Sequence, residues 1–381
     1  MVKKLYLMSG LSIFCFPLAY IYMLFLNIRD LCTKEYTVKN SNILGRVIIL
    51  CAFAIVILFS RYKFISIKFS LLYILAMSVY TYFDKYNFEI DVEKYLQFII
   101  NCTSVVLIIG IIMYIFPIES MPLKWVDLSQ YNINNRMFAT FFNPNIYAYY
   151  LAVIMIVIAS INNNKNEKQK IWNNIVYVIS CICLYFTYSR TSWFTVIFVM
   201  IIMALISRKQ YLIYALISIC IMILAESIFK SNRANLNMVV TDSSFQYRLE
   251  LWRISFEIIK DNLFFGIGVG TFYKYTASYS DIVVKYIEHC HNVYLQIIMS
   301  MGILPISIVI VFYVKSWFDN IKKLLVNRKS SFASMSIAVI IFSMFSSIFD
   351  AVLLTPQIFL LMVIILVIVK KSSNNLIISN Y

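Results

Sequence analysis

The two histidines of this 381-residue chain stand two apart in EHCHNVYLQ, residues 288–296. Histidine exchanges a proton nearer neutral pH than any other unperturbed side chain, so this stretch is the first candidate for acid–base chemistry. Zinc ligands within a pair are usually separated by two to five residues. His289, Cys290 and His291 are consecutive and cannot all face one ion, and the chain has no further histidine. No metal is expected. Cys290 is a weak candidate nucleophile, because neighbours in sequence do not face each other. A base fits better. His291 and Asn292 precede an apolar run that starts at Val293. A helix beginning there presents unpaired N–H groups and about half a positive charge. That field disfavours imidazolium and keeps the ring neutral, able to accept a proton. The same N–H groups attract an anion such as phosphate. The bland alternative, an interfacial histidine that only hydrogen-bonds, stands equally at this point.

Arginines are the second set. Arg190 lies in FTYSRTSWF (186–194), between two apolar runs joined by almost nothing. A charge near a bilayer core costs roughly 3 kcal/mol on insertion scales and usually has a partner or a function. Arg136, Arg248 and Arg253 share its setting, outside the basic segments. Guanidinium forks bind phosphate oxygens in pairs and never lose their charge. Several of them beside a histidine base would make a site for an anionic, pyrophosphate-bearing substrate. The alternative is that each pairs with an acid such as Glu250 or with a lipid headgroup. GIGVG (266–270) lacks the GxGxxG spacing and the preceding strand of a dinucleotide site, so its glycines are expected to permit a tight turn and close backbone approach. Glu226 and Asp350 fall near the ends of apolar runs, which argues against a proton relay through the membrane.

The elements that must carry these residues are membrane spans. The chain is 61% hydrophobic and 13% charged, where soluble domains carry about 25% charged residues. Its apolar residues fall in blocks of roughly 17–23, the length that crosses a bilayer core of about 30 Å as a helix. Backbone groups in lipid must be satisfied within each segment, so the spans are helices. The expected fold is an all-α polytopic membrane protein of about 11–12 transmembrane helices. It divides into N-terminal helices (1–116), central helices with an external connection at 117–145 (117–229), a large extracytoplasmic loop (230–290), and C-terminal helices with a tail (291–381). Residues 5–27 are expected as one retained span. The loop carries an amphipathic helix over FQYRLELWRISFEIIKDNLFFGIG, lying on the outer membrane face. Net charge is +15, with the Lys and Arg in short segments such as 165–170, 208–210 and 315–329. Positive-inside sorting explains this pattern without nucleic acid. It puts those segments and Lys370-Lys371 in the cytoplasm, and the 230–290 loop and the Ser189-Arg190 turn outside. The front of the chain conflicts: Lys3-Lys4 argue for an inside N-terminus, whereas an odd span count puts it outside.

FFNPNIYAYYL (141–151), YSRTSWF (188–194), YRLELW (247–252), NLFFGIGVGTF (262–272) and HNVYLQIIMSMGILP, from Asn292 on, resemble in content and order the O-antigen ligase and Wzy polysaccharide polymerase superfamily, over roughly residues 130–310. The resemblance implies a GT-C-like helical glycosyltransferase of a bacterial cell membrane. It would act on undecaprenyl-diphosphate-linked glycans and need neither metal nor nucleotide sugar. It makes His291 the base, with Arg190, Arg248 and, more loosely, Arg136 as substrate-binding cations, and Asn292 beside them. His289 has no counterpart. Abundant Asn, Lys and Ile suggest an AT-rich genome. A Gram-positive source of that kind would lack lipid A, which favours a repeat-unit polymerase, with a chain-length regulator as an expected partner, over a ligase. A glycan flippase is the alternative of another class. It would line a central pathway with charges, whereas this chain concentrates them on one side.

Overall fold

The computed structural model describes residues 1–32, 43–116, 135–231, 243–280 and 287–376. Most of the 117–145 connection and parts of the 230–290 loop lie outside the described residues. The described elements are helical, with no strand among them: α1 (Val2–Phe14), α2 (Phe16–Cys32), α3 (Ile43–Phe59), α4 (Lys63–Lys85), α5 (Val92–Ile115), α6 (Pro144–Ile161), α7 (Glu167–Phe186), α8 (Arg190–Ile206), α9 (Gln210–Phe229), α10 (Ser243–Asp261), α11 (Val293–Met301), α12 (Ile303–Val326), α13 (Ser331–Phe349) and α14 (Pro356–Leu376), with short 3-10 turns between some of them. Helices α4, α5, α6, α9 and α13 are each long and apolar enough to cross a membrane. Helix α11 and the first part of α12 are long and apolar enough only as a pair, bent by 112° at its break as in a broken span or a re-entrant loop, and α3 and α8 are apolar but shorter. The chain is an all-α, multi-pass membrane protein. It forms two compact units. The first comprises residues 1–92, 246–319 and 353–381, and the second residues 93–245 and 320–352.

In the first unit, residues 5–27 do not make the single crossing expected of them. The helix breaks at Cys15. Pro17 has no N–H to offer the carbonyl of Ile13, and its ring collides with that turn. Gln357 Nε2 takes up the stray acceptors, donating to Ser12 O at 3.0 Å and Ile13 O at 3.5 Å. Beyond the break the chain folds back. Lys4 Nζ and Arg29 Nη2 both donate to the hydroxyl of Tyr82, at 3.0 and 3.2 Å, whereas a straight helix would hold residues so far apart in sequence about 37 Å from each other. Helices α1 and α2 thus form a hairpin packed on α14 and α4. Its turn lies beside the start of α14, where Tyr20 Oη donates to Pro356 O at 3.0 Å.

This hairpin bears on the Lys3-Lys4 conflict, because it brings Lys4 to the end of the unit where Lys370 and Lys371 lie. At its open end Asp30, only 2% exposed, accepts from Lys85 Nζ at 3.2 Å, Tyr86 Oη at 3.1 Å and Arg29 Nη2 at 3.4 Å. Lys370 Nζ meets Asp84 Oδ1 at 2.6 Å, and Lys371 Nζ donates to Tyr86 O at 2.6 Å. Lys4, Arg29, Lys85, Lys370 and Lys371 therefore gather at one end around Asp30, Asp84 and Tyr82, and positive-inside sorting would place such a cluster on a cytoplasmic face.

The second unit is built around α6, which is buried on nearly every side between α7, α8, α9 and α13. A helix apolar all round belongs in such a centre. Its tyrosines place their hydroxyls against small polar partners: Tyr150 on Thr103 at 2.7 Å and Tyr149 on Ser343 at 2.7 Å. At one end of the unit Arg208 Nη1 donates to Ser160 O at 2.9 Å and Ser331 Oγ at 2.5 Å, fastening α6, α9 and α13 together at a basic, cytoplasm-type rim.

The hairpin predicts that Lys3→Cys and Lys371→Cys are both labelled by a membrane-impermeant maleimide in inside-out vesicles, and neither in intact cells, above the background of native thiols. Labelling of the two positions from opposite sides would contradict the fold-back at Cys15.

Candidate functional site

In the first unit the site begins with α10. Leu251, Ile254 and Ile258 repeat at helical spacing and are fully buried against Ile267, Phe272, Cys290, Leu295 and Met299. The opposite face is exposed and charged. There Arg253 grips Glu250 at 2.7 Å and Glu257 at 2.5 Å. The guanidinium holds the Glu250 carboxyl below its usual range, so the pairing is intact at neutral pH and is lost only as acid protonates Glu250. The bland reading is therefore right for Arg253. Arg248 stands one turn before Leu251 and Trp252 and is half-buried. It lies on the helix that covers the histidine segment from the other side of this core. At the far end of α10, a hydrogen bond to the Asp261 carboxylate pushes the Tyr279 phenol up to about 12.

GIGVG turns out to clamp a broken helix. Four backbone bonds join it and the preceding Leu263-Phe264 pair to the α11–α12 junction: Ile267 N to Met299 O and Gly268 N to Ser300 O, both 2.9 Å, and Ile303 N to Leu263 O and Leu304 N to Phe264 O, 2.9 and 3.1 Å. Gly266 and Gly302 have φ of +68° and +73°, and a Cβ on either would lie within 2.6 Å of the other's backbone nitrogen. Only glycine satisfies both demands. The expected tight turn and close approach are what the structure contains.

The clamp holds α11, whose N-terminus carries the histidines. Asn292 is its N-cap, accepting from Leu295 N at 3.0 Å. Gln296 reaches back one turn so that its Oε1 accepts from Cys290 N at 3.0 Å, while its amide donates to Ser300 Oγ at 3.1 Å. Cys290 is buried, and His289 and His291 on either side of it are half-buried. His291 has φ +53°, a left-handed conformation that costs a residue with a Cβ about 1–2 kcal/mol. His291 and Asn292 therefore stand at a helix mouth, as the sequence indicates. The two imidazoles also meet, with ring centroids 4.6 Å apart, which consecutive numbering did not suggest.

The second unit holds the other arginines. Asn143 caps α6, accepting from Asn145 N at 2.8 Å, and Pro144 fills the first helical turn, where a missing N–H costs nothing. Asn145 lies between opposite charges. Its Oδ1 accepts from Arg136 Nη2 at 2.8 Å, and its Nδ2 donates to Asp350 Oδ2 at 3.0 Å. Arg136 is 7% exposed, and its Nε donates to Thr187 O at 2.7 Å. That carbonyl belongs to the tight turn before Arg190, in which Tyr188 has φ +52°. Trp193 anchors the turn, donating from Nε1 to Leu184 O at 2.7 Å and stacking on Tyr185 at 5.3 Å. Tyr185 in turn donates to Glu226 Oε2 at 2.9 Å. Arg190 is the first residue of α8, half-buried. A cation at that position adds its charge to the positive end of the helix dipole.

Sequence reasoning singled out Arg136 and Arg190 but not the bonds that tie them together. Asn145 lies inside the NPN stretch, and Asp350, an acid near the end of an apolar run, is buried at the C-terminus of α13. The signal available was a central amide in a short motif and an acid just past an apolar run. Neither names its partner.

These features define a multi-pass helical membrane protein with a histidine at a helix mouth and arginines fixed on short interhelical turns. Residues 175–310 match the family model described as O-Antigen ligase. The match takes in Arg190, Arg248, His291 and Asn292 and leaves Arg136 and the NPN stretch outside. No curated protein matches the sequence.

Replacing Asn145 by Ala removes hydrogen bonds to a guanidinium and to a carboxylate, contacts worth about 1.5–3 kcal/mol each. The variant is expected to unfold several degrees lower in detergent than the parent. An unchanged midpoint would show that Asn145 is not the brace described.

Proposed function

We propose that this protein polymerises undecaprenyl-diphosphate-linked oligosaccharide repeat units into a capsular, O-antigen or exopolysaccharide on the outer face of the bacterial cell membrane. The observation that carries the reading is the placement of His291 at the capped N-terminus of α11, within the segment that matches the O-antigen ligase family. An imidazole there is kept uncharged by the helix field and is able to take a proton.

In the proposed step a ring nitrogen of His291 removes the proton from an acceptor sugar hydroxyl. The hydroxyl oxygen bonds to the anomeric carbon of the donor glycan as the bond from that carbon to the diphosphate oxygen breaks. The electron pair leaves with the lipid diphosphate, and the proton held by His291 then passes to solvent. Direct displacement inverts the anomeric configuration. Arg190 and Arg248 neutralise charge growing on the leaving diphosphate. Arg136 adds its charge and keeps the Arg190 turn in place. Asn292 holds the helix mouth and lines the acceptor side. A protein that sets chain length is a natural partner, and membrane lipids surround the spans.

A second reading follows from the match to the O-Antigen ligase family. In it the same chemistry delivers a finished glycan to a final carrier, and only the acceptor differs.

His291→Ala is expected to reach the membrane in normal amount yet leave single lipid-linked repeat units and no long polymer on gels of cell-surface glycan. Persistence of long polymer would remove His291 as the base. Arg190→Lys retains charge but loses the planar fork. It should lower turnover by about tenfold or more, the effect of weakening one preorganised charge contact. Turnover equal to the parent's would reduce Arg190 to an anchor.

A further inference from the structure

The family resemblance leaves His289 without a role, and the geometry gives it one. Burial alternates along the segment: Cys290 is sunk into the core of Leu251, Ile254, Leu295 and Met299, while His289 and His291 are both half-exposed. This is the period of two found where backbone runs outside a helix. Burying the middle residue turns both imidazoles to the same side. The Cys290 N–H is fixed by Gln296 and its Sγ lies 3.3 Å from Asn292 O, so the middle residue cannot easily rotate out. The rings lie 4.6 Å apart, with planes tilted by 48°, at a separation typical of favourable ring contacts. His291 reaches this arrangement only through a left-handed backbone, so the surrounding fold imposes it against local preference.

We propose that His289 is a positioning residue. Its ring is the wall on which the His291 ring rests, confining the His291 nitrogens to the direction from which one of them takes the acceptor proton. The proposal rests on His291 being the base. Small misplacements of a reacting group are costly, about 10²-fold in rate for 1 Å, and a side chain on an irregular segment needs such a wall more than one on a helix.

The test uses the full-length protein in liposomes with a lipid-linked repeat unit as substrate, comparing the parent, His289→Ala, His289→Phe and His291→Ala after confirming equal, monodisperse yields. His289→Ala is expected to lose about 10- to 100-fold in kcat with KM little changed. His289→Phe, which keeps a flat ring without titratable nitrogens, should recover most of the loss. Parental kcat in His289→Ala, a loss carried by KM, or a Phe variant as slow as the Ala variant would each overturn the proposal. A second readout does not depend on turnover. Carbethoxylation of His291 by diethyl pyrocarbonate, followed by peptide mass spectrometry, should be faster in His289→Ala than in the parent and return towards the parent rate in His289→Phe. If the parent makes bonds but the His291 labelling rate ignores residue 289, the positioning proposal alone fails. If the parent makes no bonds, the reading of His291 as base fails, whatever the labelling shows.

Discussion

A helix that breaks in or beside a membrane leaves N–H and C=O groups that lipid cannot satisfy, and the protein must supply every partner. This constraint organises both units. At the Cys15 break the stray carbonyls are met by Gln357. At the start of α6 the amide groups are met by Asn143, and at the start of α11 by Asn292. Between α11 and α12 the gap is closed by the backbone of the GIGVG stretch. Each repair uses an amide side chain or a glycine whose conformation no other residue adopts cheaply. Each also fixes a piece of irregular backbone as firmly as a helix would.

Those fixed irregular pieces hold the chemistry-bearing residues. Away from the end of α9, the non-glycine residues with positive φ among the described ones are Ala139, Phe142, Tyr188 and His291. The first two precede the NPN cap, the third precedes Arg190, and the fourth is the candidate base. Strained backbone persists only where its surroundings over-determine it. Here the surroundings are identifiable: Arg136 on the Thr187 carbonyl, Trp193 on Leu184, Gln296 on the Cys290 amide. The arginines differ in how they are held. Arg253 spends its fork on two surface acids, Arg136 on an amide and a carbonyl inside the second unit, and Arg190 stands at a helix start where the dipole adds to its charge.

Much of this was legible in the sequence because it is local. The helical spans follow from block length, the α10 core face from the spacing of Leu251, Ile254 and Ile258, the GIGVG turn from its glycines, and the Asn292 cap from an amide placed just before an apolar run. The Arg253 pairing was readable too, since Glu250 and Glu257 lie three and four residues away. What the sequence hid depends on distant partners. Nothing within residues 5–27 tells that Gln357 will occupy the carbonyls freed by Pro17, or that Tyr82 will bind both Lys4 and Arg29, so a hairpin read as one span. The contact of His289 with His291 follows from the burial of Cys290, which is decided by α10 some thirty residues earlier. The Arg136–Asn145–Asp350 connection joins residues from three separate segments.

The central claim is that this fold makes glycosidic bonds between lipid-linked units. It is tested most directly by counting lipid carriers released. Purified protein in liposomes, given undecaprenyl-diphosphate-linked repeat units and no nucleotide sugar, should lengthen the glycan in steps of one repeat and free one undecaprenyl diphosphate for each bond made. Movement of intact lipid-linked units across the bilayer with no carrier released, or release without any lengthening of the lipid-linked product, would contradict the account.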